Sequence, residues 1–139
     1  MAHVASKKAS RFSVLFISIV AISLFVYYNF IPQGSGYEDI TVKQAKELME
    51  ADPSLVILDV RTAAEYNDEH IEGAINIPLD ELQQRLAELN HTDTILVYCR
   101  TGNRSTHAAN LLVENGVSGF YHLRGGIVAW KQKGYSVTK

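Results

Sequence analysis

Residues 95–105 read Ile95-Leu96-Val97-Tyr98-Cys99-Arg100-Thr101-Gly102-Asn103-Arg104-Ser105, an apolar run that ends in a cysteine and continues as a polar loop. A continuous apolar run is typical of a strand covered on both faces, as in a parallel sheet. A helix-like pattern follows from Thr106 to Asn115. Backbone N–H groups and the dipole at a helix start favour a thiolate there. The sequence therefore predicts that Cys99 is reactive, although a lone cysteine is more often a buried structural residue.

The polar loop is predicted to bind an anion. We expect its backbone N–H groups to converge on the Cys99 sulfur, and Gly102 to permit the tight curvature that this requires. An arginine opposes the dipole at a helix N-terminus, so Arg100 and Arg104 are predicted to attract an anionic substrate. Ser105 is predicted to cap the helix, with proton handling as the alternative role. The candidate substrate-binding residues are Arg100, Thr101, Gly102, Asn103, Arg104 and Ser105.

Strand and helix patterns alternate along the rest of the chain. Apolar stretches of strand length occupy residues 38–40, 55–60, 74–77, 94–98 and 119–123. Between them, Thr41 and Thr62 each begin a capping box, and further helices are predicted from Asp80, after the Cys99 loop and near Gly126. This alternation predicts an α/β sheet with helices on both faces. Ligands of such sheets bind outside the carboxyl ends of the strands, which is where Cys99 falls.

Four segments together resemble the rhodanese family of sulfurtransferases, especially its single-domain members. They are Leu58-Asp59-Val60-Arg61 with Glu65-Tyr66, the stretch 70–78 (His-Ile-Glu-Gly-Ala-Ile-Asn-Ile-Pro), the Cys99 loop, and the stretch 123–130 (Leu-Arg-Gly-Gly-Ile-Val-Ala-Trp). The resemblance covers nearly all of residues 37–139 and implies a five-stranded parallel sheet in the order 1-5-4-2-3.

The resemblance also implies a sulfurtransferase reaction without a cofactor. The Cys99 thiolate would take the outer sulfur of a small anionic donor such as thiosulfate and hold it as a persulfide. The chain has one cysteine, so an external thiol or cyanide would have to accept the sulfur.

Three residues outside the loop are candidates for supporting the site. Asp59 and Arg61 would lie at the same sheet edge as Cys99, either bonding to loops around the site or closing an ion pair with Glu65 or another charge. Tyr66 is expected to border the pocket. The five histidines show no metal-ligand spacing, so they are interpreted as surface or packing residues and no metal site is predicted.

Two other functions fit a cysteine–arginine loop. Phosphatases and arsenate reductases also use such a loop before a helix. The related phosphatases have five residues between Cys and Arg, whereas four separate Cys99 from Arg104, which suits a sulfur atom better than a phosphate. A sulfur carrier or redox-sensing module without rapid turnover would use the same persulfide, so the loop does not separate it from an enzyme.

The first part of the chain is predicted to lie in a membrane. Residues 1–11 form a basic tail, residues 12–31 carry no charge, and residues 32–36 are a linker to a domain at residues 37–139. Twenty helical residues span about 30 Å, the thickness of a bilayer core. A single-pass anchor in the lipid bilayer is favoured over a cleaved signal peptide that would leave the domain secreted or periplasmic.

Charge sets the predicted orientation and excludes one class of partner. Residues 1–36 carry three basic and no acidic residues, whereas residues 37–139 carry ten basic and fifteen acidic ones. Basic flanks favour a cytoplasmic N-terminus and an extracytoplasmic catalytic domain. The formal net charge of −2 argues against a nucleic-acid partner.

Overall fold

The computed structural model describes residues 20–22, 36–90 and 93–139. The chain divides into two compact units, residues 1–34 and 35–139, and in the first unit the three described residues are helical. The predicted membrane segment at 12–31 thus lies almost entirely outside the described residues. Within the described ranges, no helix has the length and apolar character needed to cross a bilayer. The anchor and the domain boundaries stay predictions.

Strands and helices alternate strictly along the second unit. In chain order they are β1 (Tyr37–Ile40), α1 (Val42–Ala51), β2 (Val56–Asp59), α2 (Ala63–Asp68), β3 (Ala74–Asn76), α3 (Leu79–Arg85), β4 (Ile95–Tyr98), α4 (Asn103–Glu114), β5 (Phe120–Leu123) and α5 (Gly126–Gln132), with a 3-10 turn at Leu86–Glu88 after α3. Each strand falls within one residue of its predicted apolar stretch or inside it. The alternating pattern read from the sequence is therefore confirmed.

The five strands form one parallel sheet in the order β1-β5-β4-β2-β3. Its central strand, β4, is buried along its whole length, as its continuous apolar sequence predicts. The sheet order that the family resemblance implies is therefore confirmed. The order brings the carboxyl end of β4 between those of β2 and β5, so residues from both neighbours can reach Cys99.

Helices cover both faces of the sheet, as predicted. On one face, Leu58 and Val97 pack with Leu112 of α4 and Leu82 of α3. On the other, Leu96 packs with residues of α1 and α5, among them Ala45 and Trp130. Adjacent strand residues point to opposite faces, so β4 contributes to both layers.

The helix starts agree with the sequence at two positions and differ at a third. Thr41 and Thr62 both form the predicted capping boxes. The helix after the loop begins at Asn103 instead of Thr106, and its N-cap residue is Gly102, which makes no side-chain cap. The prediction that Ser105 caps this helix was therefore wrong. Gly102 adopts φ +109°, which turns the chain into the helix before Ser105 is reached.

Candidate active site

Cys99 directly follows β4 and lies at the carboxyl edge of the sheet. Its side chain is buried, and its Sγ accepts a hydrogen bond from the backbone N–H of Gly102 at 3.2 Å. The Ser105 hydroxyl lies 3.3 Å from the same sulfur. The chain from Cys99 to Ser105 therefore curls around the thiol and presents hydrogen-bond donors to it, as the composition of the loop predicts.

These donors change the acidity of the thiol. Burial by itself raises the pKa of Cys99, since a charged sulfur loses hydration. Hydrogen bonds from the Ser105 hydroxyl and from the backbone N–H groups of Ser105, Gly102 and Thr101 outweigh burial and lower the pKa below its ordinary value. Because the thiolate is the nucleophilic form, the loop prepares Cys99 for attack.

The first turn of α5 holds the loop from its other side. The N–H of Ile127 donates to the Cys99 carbonyl at 2.9 Å, and that of Val128 donates to the Arg100 carbonyl at 3.1 Å. Gly126 adopts φ +57°, and a Cβ atom there would lie 2.3 Å from the Cys99 carbonyl oxygen. The close approach of α5 to the loop therefore requires glycine.

Replacing Gly126 by alanine is expected to destabilise the fold and displace the loop. Gly134→Ala is a matched control, because Gly134 also has positive φ (+82°) but a Cβ atom there would meet no heavy atom within 4 Å. The control should lose about 1–2 kcal/mol from backbone strain alone. Gly126→Ala should lose about 1–3 kcal/mol more, because the new carbon overlaps backbone atoms. Urea denaturation measures both, and equal losses would contradict the close contact.

Arg104 is held by an acidic residue of α2. Its Nη1 and Nη2 atoms donate to the two carboxylate oxygens of Glu65 at 2.6 and 2.8 Å. The hydrogen bond from Arg104 lowers the pKa of Glu65 to about 2 against the effect of partial burial. Both terminal nitrogens of Arg104 are thus engaged, and the ion pair fixes the first turn of α4. Its predicted contact with substrate stays a prediction.

Glu65→Gln tests this ion pair through its pH dependence. The folded-state pKa of about 2 lies below the unfolded value near 4.5, so the carboxylate stabilises the fold above about pH 4.5 and loses this effect as the pH falls toward 2. Glutamine can preserve the capping box with Thr62, while it removes the charge and one of the two oxygens that accept from Arg104. We expect the variant to lose about 1 kcal/mol at pH 7, since the pair is partly hydrated.

Urea denaturation between pH 2 and 7 provides the measurement. The difference between Glu65→Gln and the unmodified chain should shrink as the pH falls through this window. Glu72→Gln, a change at an exposed carboxylate, is the control and should stay close to the unmodified chain throughout. A difference between Glu65→Gln and the unmodified chain that does not vary with pH would contradict the ion pair.

Arg100 carries the loop's available positive charge. Arg100, Thr101 and Asn103 are exposed, and within residues 36–90 and 93–139 Arg100 has no ion-pair partner. A cleft of about 300 Å³ opens beside the loop. It is lined by Arg61, Glu65, Asp68, Glu69, Arg100, Ile127, Val128 and Lys131. The other basic residues of the lining and the loop are each paired with a carboxylate: Arg61, Arg104 and Lys131. Arg100 is therefore the cation best placed to meet an anion.

Asp59 and Arg61 form a buried ion pair with each other at the end of β2. Arg61 Nη2 donates to Asp59 Oδ2 at 2.6 Å and to the Glu69 carbonyl at 2.7 Å. The guanidinium also lies 5.8 Å from the centre of the Tyr98 ring. The structure therefore shows both expected roles: the ion pair, which forms between these two residues and not with Glu65, and a bond from Arg61 to Glu69, a residue that follows α2 and lines the cleft with Arg61.

Tyr66 makes contacts that fix the approach to β3. Its hydroxyl donates to the Ala74 carbonyl at 2.6 Å, and its ring stacks on His70 at a centroid distance of 3.9 Å. The predicted position at the border of the pocket stays a prediction.

His122 is the site residue that the sequence did not reveal. Its spacing from the other histidines indicates a surface or packing residue, yet it is buried on β5 and its Nε2 lies 2.8 Å from the Ser105 hydroxyl. The available signal was a polar residue within an apolar strand, two positions after Phe120 and therefore on the same face. Only the sheet order shows that this face meets the Cys99 loop.

Known proteins resemble this chain in sequence and in fold. A family model described as a rhodanese-like domain matches residues 41–133. The thiosulfate sulfurtransferase GlpE of Coxiella burnetii is 36% identical over 95 residues, covering 68% of this chain and 88% of GlpE. The putative sulfur carrier protein YrkF of Bacillus subtilis is 36% identical over 99 residues, covering 71% of this chain and 54% of YrkF. The chain spans 54% to 61% of the length of the first curated relatives that it matches.

A solved structure shows the same fold. The crystal structure of a rhodanese-related protein from Thermoplasma volcanium matches with a TM-score of 0.67 at 31% identity, covering 73% of this chain and 98% of that one. The family model spans every element from α1 to α5. On these grounds the chain belongs to the rhodanese family, whose members among its relatives include thiosulfate sulfurtransferases.

Proposed function

We propose that this chain is a thiosulfate sulfurtransferase that works through a persulfide on Cys99. The observation that carries the proposal is the buried Cys99 sulfur, which accepts hydrogen bonds from the loop and has a lowered pKa. Such a sulfur is nucleophilic and lies where ligands of parallel α/β sheets bind. Relatives named thiosulfate sulfurtransferases support the choice of donor.

In the first step the Cys99 thiolate attacks the outer sulfur of thiosulfate. A new S–S bond forms to Cys99 while the bond between the two thiosulfate sulfurs breaks, and sulfite leaves with the electron pair of that bond. Arg100 attracts the dianion and stabilises the departing sulfite. The remaining Cys99 persulfide anion takes over the hydrogen bonds that the loop N–H groups gave to the thiolate.

In the second step a nucleophile attacks the terminal sulfur of the persulfide. Cyanide would leave as thiocyanate and a thiolate would leave as a persulfide, and each reaction returns Cys99 to its thiolate form. The chain's single cysteine means that the acceptor comes from outside it. Covalent catalysis of this kind divides one difficult transfer into two easier substitutions.

The test uses the purified chain with thiosulfate as donor. Incubation without acceptor should add one sulfur atom to Cys99 and release one equivalent of sulfite, measured by mass spectrometry and by sulfite titration. Addition of cyanide should then produce thiocyanate over many turnovers. Absence of both the added sulfur and sulfite would refute the proposal. Hydrolysis of a small aryl phosphate or reduction of arsenate in its place would indicate the phosphatase or arsenate reductase alternative.

A sulfur carrier is the second candidate function. The relative YrkF, named a putative sulfur carrier protein, supports it. A carrier would form the same persulfide but release the sulfur slowly to cyanide and fast to one acceptor protein. Persulfide formation without turnover on cyanide or small thiols would therefore favour the carrier, or a redox-sensing module, over the enzyme.

We also propose that residues 12–31 span the cytoplasmic membrane and hold the catalytic domain on its extracytoplasmic side. Support comes from the uncharged length of this segment and from the basic residues that precede it. Membrane fractionation together with protease treatment of intact cells tests the arrangement. The domain should sediment with membranes and be digested without lysis, whereas protection until lysis would contradict the orientation. Release by washing would contradict the anchor.

A further inference from the structure

Three polar side chains connect the Cys99 sulfur to the surface of the domain. The Ser105 hydroxyl lies 3.3 Å from Cys99 Sγ and 2.8 Å from His122 Nε2. The other ring nitrogen, Nδ1, lies 2.6 Å from Asp39 Oδ1. Each separation between the nitrogen and oxygen atoms is that of a good hydrogen bond, so the four residues form an unbroken chain.

This series of hydrogen bonds runs from the interior of the domain to water. Cys99, Ser105 and His122 are buried, whereas the Asp39 side chain is 54% exposed. The sheet creates the connection, because β1 pairs with β5 in a register that places Asp39 directly beside His122. The four residues come from β1, β5, α4 and the end of β4, so they meet only in the folded domain.

The Ser105 hydroxyl has a single proton, so the hydrogen bonds between the four residues can point in only two consistent arrangements. In one arrangement Cys99 is a thiol that donates to Ser105, Ser105 donates to Nε2, and neutral His122 donates from Nδ1 to Asp39. In the other, His122 is an imidazolium that donates to both Asp39 and Ser105, and Ser105 donates to the Cys99 thiolate. The two arrangements differ by a concerted shift of protons along the same hydrogen bonds.

We propose that Ser105, His122 and Asp39 form a relay that removes the proton of the Cys99 thiol and stores it on the imidazole. The S–H proton passes to Ser105 as the Ser105 proton passes to His122 Nε2, so no atom is gained or lost. Asp39 stabilises the resulting imidazolium, and His122 and Asp39 are thus positioning residues for the nucleophile. The inference rests on the proposed persulfide chemistry, for which the relay supplies the thiolate.

The surroundings of the imidazole favour this arrangement over its competitors. From β1, Asp39 and Tyr37 face the imidazole, and the Tyr37 ring lies edge-on with its centroid 5.9 Å from that of His122. The Cys99 thiol at the end of β4 reaches it through Ser105 of α4. The Gly102 carbonyl lies 3.0 Å from the Ser105 hydroxyl and competes for its proton. Donation to that carbonyl would leave a neutral, buried Nε2 without a donor, which is costly.

The test follows the pH dependence of Cys99 alkylation by iodoacetamide in the full chain. Iodoacetamide is uncharged and needs only the thiolate, so its rate reports ionisation independently of substrate binding. Asp39→Asn should move the midpoint of the rate profile upward by about half a pH unit, which is about threefold in rate below the midpoint. Glu38→Gln is the matched control, because it removes a neighbouring exposed charge of β1 that points to the opposite face.

If the midpoint of the rate profile moves upward in Asp39→Asn by more than it does in Glu38→Gln, the relay is supported. Equal profiles for the two variants overturn it. Ser105→Ala should raise the midpoint further, by about one unit, because it interrupts the chain beside the sulfur. The Asp39 substitution is at the surface, so it keeps the test informative if Ser105→Ala fails to fold. If the unmodified chain does not transfer sulfur from thiosulfate, the proposed function fails, while the alkylation profiles still decide on the relay.

Discussion

Replacing Cys99 by serine is expected to abolish sulfur transfer, reducing thiocyanate formation from thiosulfate and cyanide by about four orders of magnitude or more. A serine hydroxyl is far less acidic than a thiol and cannot form a persulfide, so the covalent step is lost. Serine is close in size to cysteine, and the Ser105 hydroxyl and the Gly102 N–H can still bind its oxygen. We therefore expect the circular dichroism spectrum to be unchanged.

A double variant tests whether activity requires a thiol at position 99 or only a thiol somewhere in the chain. Cys99→Ser combined with Ser118→Cys keeps one thiol in the chain but places it at an exposed site before β5. It should be as inactive as the single variant, because the new thiol has neither the loop N–H groups nor Ser105 beside it. Recovery of the rate by Ser118→Cys, or a rate for Cys99→Ser within tenfold of the original, would contradict the mechanism.

Asp59→Ala is expected to reduce the free energy of unfolding by about 3–5 kcal/mol. The substitution leaves the Arg61 guanidinium buried without its carboxylate, and removing one partner of a buried ion pair costs far more than the pair itself contributes. Asp59 and Arg61 are both almost completely buried. Urea denaturation at pH 7 measures the loss, and a loss below about 1 kcal/mol would contradict this interpretation.

Two comparisons make that measurement specific. Glu50→Ala removes one partner of an exposed pair with Lys46 on α1 and should leave stability nearly unchanged. Asp59→Leu combined with Arg61→Met removes both buried charges, so it should recover much of the loss. If the double variant were less stable than Asp59→Ala, hydrogen bonds of Arg61 to other groups would matter more than its charge.

The sequence predicts the layout of the fold well because that layout depends on local pattern. The apolar run at 95–98 identifies a strand buried on both faces, and the capping boxes at Thr41 and Thr62 identify two helix starts. The strand order required the family resemblance, since pattern alone does not say which strands are neighbours. The start of α4 was misplaced because Asn103, Arg104 and Ser105, which were interpreted as loop residues, directly follow the turn at Gly102 as the first residues of the helix.

The site was predicted less completely than the fold, because its contacts join residues that are distant in the chain. Arg104 and Glu65 are 39 positions apart, and Asp39 and His122 are 83 positions apart. Sequence composition identifies each charged residue but not its partner, so Arg104 was expected to face an anion and His122 was overlooked. The nucleophile itself was predictable because a strand, a glycine turn and a helix that follow one another directly create its surroundings.

The bonds from α5 to the loop can form only late during synthesis. Ile127 and Val128, which hold the carbonyls of Cys99 and Arg100, follow the cysteine by about thirty residues, and β5 precedes them. A ribosome therefore releases Cys99 well before the residues that shape its loop. Until those residues emerge, the loop around the thiol can be held only by its own hydrogen bonds. The local donors to the sulfur are thus made together with the cysteine, whereas the bonds that fix the loop against α5 form only when the domain is nearly complete.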